Sequence, residues 1–291
     1  MRDAAQLAIE APAPIGARAA AALADLLASA GIAVSRTGSA ILVWPNDALP
    51  HDPAAWSEDL PLDADPLAFA FRHLHGPPTT GWAAPVDAVR RRVADWARAE
   101  RLRVEPAWPG GATCAVALVH EARPLARPRT GLRGALGRRP ADPLEAERRA
   151  ADAERAAGAR SAVRSADLLA PDEQAQVRSL GFSLATGANV RIASRPGFGR
   201  GTAFPTRGYD HGAERVDAWA ELPLLGEAPD PGLQPLLEQG GGAVLSVPLA
   251  RLAGEEGAAR AAAYADALER LRALGAWLTT PEDLAAHLYG G

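Results

Sequence analysis

Residues 113–119 of this 291-residue chain read Thr-Cys-Ala-Val-Ala-Leu-Val, a near-continuous apolar run that stops at His120 and Glu121. A strand with one face in water alternates apolar and polar side chains, whereas a strand covered on both faces has no need to. The run therefore predicts a buried strand of a mostly parallel sheet, and parallel neighbours need crossover connections that are usually helices. The following sequence supplies the pieces. Residues 144–157 and 171–180 read as helices, and 159–163, 219–225 and 242–247 as strands. Residues 256–274 form a long helix with Tyr264, Leu268, Leu271 and Leu274 on one side. Residues 275–278 make a last strand, and Pro281 opens a terminal helix. This alternation predicts an α/β fold with a parallel sheet or barrel.

The first hundred residues read differently. Ile15, Ala19, Ala22, Leu23, Leu26 and Leu27 fall on one helical stripe that Gly31 ends. Residues 40–44 make a short buried strand stopped by Pro45, and the Pro- and Asp-rich stretch 45–66 reads as irregular chain. From Pro85, the spacing of Val86, Val89, Val93 and Trp96 predicts an amphipathic helix to about Arg103. Residues 106–111 (Pro-Ala-Trp-Pro-Gly-Gly) read as a linker. The expected division is a small α/β domain over 1–105 and a larger α/β domain over 112–291.

Composition excludes several chemistries. All 31 cationic residues are Arg, so a Schiff-base lysine, a phosphate-loop lysine and a Ser–Lys dyad are ruled out. Cys114 is the one cysteine, which excludes disulfide frameworks and thiolate metal clusters. A net charge of -4 offers no bulk attraction to nucleic acid or anionic lipid. No apolar run is long enough for a transmembrane helix. Glu10, Arg18 and Asp25 interrupt the Ala-rich N-terminal stretch, so no secretory signal is read there and the expected compartment is the cytoplasm.

Ionisable residues directly after a buried parallel strand stand where α/β folds place their chemistry, which makes His120 and Glu121 the candidate acid/base or metal-binding pair. The other reading is that both simply face solvent. Histidine is scarce, with only His51, His73, His75, His120, His211 and His287, and none lies between Glu121 and Asp210. A metal site is therefore not expected. Arg123, Arg127, Arg129, Arg133, Arg138 and Arg139 cluster among Pro and Gly in a loop suited to an acidic partner, or simply to solvent. It has no aromatic ring on which a base could stack, which argues against single-stranded nucleic acid. The passage from Arg195 to Asp210 is the most distinctive. Its glycines allow close backbone approach, and Arg195, Arg200, Arg207, Tyr209 and Asp210 offer polar contacts to a hydroxyl-rich ligand. The plainer reading is a rigid loop that feeds Phe198 and Phe204 into the core. Gly181-Phe182-Ser183-Leu184-Ala185 is not a nucleophile elbow, because a helix precedes it and the final glycine is missing.

In order, these passages resemble the polysaccharide deacetylase (NodB-homology) family, in the branch with an extra N-terminal domain. Val119-His120-Glu121 stands where that family has a Thr-His-Asp-type motif. Residues 181–186 are similar to its Gly-Phe-x-Tyr-Asp-Ser stretch, and 196–210 match its Pro-Gly-Phe-Arg-x-Gly-Thr-x-Phe-Pro-x-Arg-x-Tyr-Asp stretch closely. Trp219-Ala220-Glu221-Leu222-Pro223-Leu224 looks like its Glu-Leu-Pro strand, and residues 274–280 like its final strand.

The resemblance implies a distorted (β/α) barrel, here truncated, whose active members hydrolyse N-acetyl amides of glycans with a divalent metal such as zinc. In that family an Asp and a His-x-x-x-His pair hold the metal, and a second Asp is the base. Between Glu121 and Gly181 this chain has no His; Glu121 replaces the base, and Val247 replaces the late acid His. The expected protein is thus a degenerate member without metal or cofactor that binds a glycan or an active partner enzyme. Arg195, Arg200, Arg207, Tyr209, Asp210, Trp219 and Glu221 would line the surviving face. Two alternatives stay open. One is an active amide hydrolase with a site rebuilt from His120 and Glu121 plus His211 or His73 and His75. The other is an interaction module that uses the Arg-rich loop. Edges left by lost elements would favour an oligomer.

Overall fold

A computed structural model describes residues 106–121, 144–164, 169–184, 190–196, 204–210, 215–227, 240–254 and 256–290, together with 7–10, 40–43 and eight single positions before residue 100. In the first part, β1 (Leu7–Glu10) pairs in parallel with β2 (Ala40–Val43) as a separate two-stranded sheet. Ala24, Leu27 and Ala28 are helical between them, Leu27 and Ile32 are buried, and Gly31 turns the chain at φ 79°. The expected helix from Pro85 is described only at Asp95, Arg98 and Ala99, which are helical. β1 has no counterpart in the sequence reading.

The apolar run becomes β3 (Cys114–Glu121), buried to His120. β9 (Gly242–Val247) pairs with it in parallel, and β4 (Ser161–Arg164) and β10 (Ala276–Thr279) share its other edge. β10 takes Cys114 to Ala117, and β4 takes Leu118 to Glu121. β5 (Ser183–Leu184) flanks β4, while β8 (Arg215–Glu227) joins β9 to β6 (Val190–Pro196). β7 (Thr206–Asp210) is antiparallel to the first half of β8, and every other pairing described is parallel.

The order β5-β4-β3-β9-β8-β6 cannot be flat. Five interstrand spacings of about 4.8 Å would separate the outer strands by roughly 24 Å. Yet the six Cα steps from Leu184 to Val190 reach about 22 Å at most, and only if fully extended. The sheet curls into a half-barrel with β5 and β6 at its edges.

Helices α1 (Glu145–Ala157) and α3 (Gly257–Ala273) pack on each other, while α2 (Pro171–Ser179) leads into β5 and α4 (Pro281–Tyr289) packs near β3, β6 and β8. The inner stripe of α1 is Ala146, Ala150, Ala153 and Ala157, small side chains at helical spacing that admit a close neighbour. Gly158 ends α1 in the left-handed conformation at φ 65°, with nothing within 4 Å of an added Cβ. Gly158→Ala should therefore cost only the backbone strain, about 1 kcal/mol, read by urea denaturation.

Three expectations change. Residues 106–111 are not a free linker: Trp108 is 2% exposed, and its indole Nε1 donates to the Gly240 carbonyl at 2.8 Å. The core of the larger unit thus begins before residue 112. Leu274 does not join the buried stripe of α3; it follows the last turn and is 44% exposed. Residues 206–210, read as part of a loop, form β7, and Phe204 just before them is buried as the plainer reading required.

Candidate functional site

Successive strand residues point to opposite faces, and at the end of β3 this separates the two residues that the sequence singles out. His120 turns to the helix side and is fully buried. Its Nε2 lies 2.6 Å from Oε1 of Glu154 on α1. The same carboxylate accepts the Tyr264 hydroxyl of α3 at 2.8 Å on Oε1 and the Ser161 hydroxyl of β4 at 2.6 Å on Oε2. Phe182 closes the cluster, its ring centroid 5.0 Å from the imidazole and edge-on to it. Burial, and then the adjacent Glu154 charge, push the Tyr264 phenol well above its ordinary range, so it stays a donor. The Nδ1 atom of His120 is buried with no hydrogen-bond partner among the described residues.

Glu121 turns the other way. Its Oε1 meets Arg164 Nη2 of β4 at 2.9 Å, and both side chains are more than two-fifths exposed. A general base must lie within hydrogen-bond reach of the proton it takes. His120 is enclosed by protein, and Glu121 is on the far face, so the two do not form one acid/base site.

Around β8, Trp219 and Glu221 share a face, and Arg191 of β6 stands opposite Glu221 in register. The Arg191 guanidinium lies 4.1 Å from the centroid of the Trp219 ring. Arg207, opposite Ala220 on β7, faces away from that group and sits 4.9 Å from the centroid of Tyr289. Of the expected ligand-binding set, the structure thus brings Trp219 and Glu221 together, adds Arg191, and sets Arg207 apart.

Arg195 lies in β6, and Tyr209 and Asp210 in β7, on described backbone, but their side chains lie outside the described residues. Arg200, His211, His73, His75, Phe198 and the Arg-rich loop lie outside them altogether. Among the described residues no group of three or more His, Cys, Asp or Glu side chains could hold a metal ion, and no helix is long and apolar enough to cross a membrane.

No protein-family model, no curated protein and no solved structure matches the chain.

His120 stands out in the sequence, but its partners Glu154, Ser161 and Tyr264 do not. The signal was present: Glu147 and Glu154 stand two turns apart on the alanine stripe of α1, and Tyr264 lies on the apolar side of α3. A carboxylate on an apolar stripe needs buried donors. Which donors reach it depends on the fold. Cys114 is buried, and that burial pushes its thiol upward, which favours the protonated form.

Proposed function

We propose that this protein is a truncated, deacetylase-like half-barrel that binds a glycan without cleaving it. The observation that carries the reading is the division at the end of β3: His120 is withdrawn into a carboxylate–hydroxyl cluster, and Glu121 lies on the opposite face beside Arg164. Amide hydrolysis needs an activated water and a proton donor at one carbonyl, and these two side chains cannot serve one bond. Arg191 and Glu221 offer charged groups for sugar hydroxyls, and the half-buried Trp219, over whose ring Arg191 lies, offers an aromatic surface to a sugar that displaces that guanidinium. The order of the motifs at residues 181–186, 196–210 and 219–224 supports the family side of the reading.

The test is acetate release and calorimetric binding with an N-acetylated chitooligosaccharide, with zinc added. The expected result is binding without turnover, weakened about tenfold by Trp219→Ala. Turnover that disappears in Glu121→Gln would sink the proposal.

A further inference from the structure

A cleft of about 610 Å³ lies beside β10, walled by all four of its residues and by Arg160, Arg272, Asp283 and His287. Among the described residues β10 pairs only with β3, so its other edge opens on this cleft. β4 does not extend the ladder of β10, because it joins β3 only from Leu118 onward. An open strand edge presents unpaired N–H and C=O groups, the means by which a sheet takes up an extended peptide. Four strand residues span about 13 Å, room for a peptide segment of similar length.

Charge selects the peptide. Two guanidinium groups line the cleft against one carboxylate. Arg160 meets Asp283 at 2.9 Å and is 71% exposed, and Arg272 meets Glu269 at 3.5 Å and is 60% exposed. The Arg272 pair is exposed on both sides and weak, so an incoming carboxylate can replace Glu269 at little cost. Asp283 Oδ2 is buried and keeps Arg160 Nη1, which leaves the exposed remainder of that guanidinium fork for a second carboxylate. His287 adds an imidazole whose Nε2 is 2.8 Å from the Ala107 carbonyl, and the half-buried Trp277 supplies an apolar wall.

We propose that the cleft takes up an extended acidic segment of a partner protein, which adds as a strand to the free edge of β10 while its carboxylates meet Arg160 and Arg272. The inference stands on this cleft and does not require the deacetylase-like reading.

Fluorescence polarisation with the full chain tests it. The probe is fluorescein-labelled Glu-Val-Glu-Val-Glu-Val, compared with the Lys-for-Glu peptide and with an acidic peptide N-methylated at alternate residues. The acidic peptide is expected to bind, each comparison peptide at least about tenfold more weakly, and Arg160→Gln and Arg272→Gln should each lower its affinity by about tenfold. Both variants change exposed side chains, and circular dichroism checks that they fold. Failure of the acidic peptide to bind at about 1 mM overturns the proposal. Equal binding of the N-methylated peptide overturns strand addition, as does displacement by inorganic phosphate as effective as displacement by unlabelled peptide. Unchanged affinity in both variants overturns the assignment to this cleft.

Discussion

Replacing Glu154 by alanine is expected to remove about 3–5 kcal/mol of stability, measured by urea denaturation followed by circular dichroism. One carboxylate, 6% exposed, receives His120, Ser161 and Tyr264, and so joins β3, β4, α1 and α3 at one point. Without it, three buried polar groups lose their partner together, at about 1–3 kcal/mol for each that finds no other. The alanine also leaves a cavity that the packed helices cannot wholly fill. Against a usual total of about 5–15 kcal/mol, such a loss approaches unfolding. Glu154→Gln should cost less, because the amide keeps the shape and one acceptor oxygen. Glu121→Gln is the contrasting case: its ion pair with Arg164 is exposed, so the loss should stay below about 1 kcal/mol. A loss from Glu154→Ala as small as that from Glu121→Gln would show that the cluster is not a buried anchor.

The parts of the fold legible in the sequence are those whose periodicity is local. β3 is apolar at every position but its end because neighbours cover both of its faces, and β9 covers the stretch that its composition suggested. The helices over residues 144–157 and 256–274 showed a stripe and a terminus. β6 and β7 did not show themselves. Their sequences, Val-Arg-Ile-Ala-Ser-Arg-Pro and Thr-Arg-Gly-Tyr-Asp, carry Arg, Gly and Pro that read as loop, and only pairing with β8 makes them strands. The site was half legible for a similar reason. A histidine at a strand end is visible in one dimension, but the face it takes depends on where the strand begins. The Glu154 and Tyr264 that meet it lie 34 and 144 residues away in the chain. Nothing local links them.

Trp108→Ala is expected to cost about 3–5 kcal/mol, by the same measurement, although Trp108 lies in a Pro- and Gly-rich stretch with the composition of a linker. Its indole stacks on Phe204 at 6.2 Å with planes 10° apart, and Trp277 and His287 pack around it at 6.5 and 6.1 Å. Gly242 makes room for it: a Cβ there would stand 2.7 Å from the Trp108 ring. One side chain thus gathers the start of β9, the approach to β7, the last strand and the last helix. Truncation removes the ring packing and the hydrogen bond to the Gly240 carbonyl together. Trp108→Phe should fall between parent and alanine, since it keeps an aromatic plane but not the indole N–H. A residue in a true linker changes stability by about 0.5 kcal/mol or less when replaced. A result that small for Trp108→Ala would return residues 106–111 to the linker reading and place the start of the larger domain after Gly111.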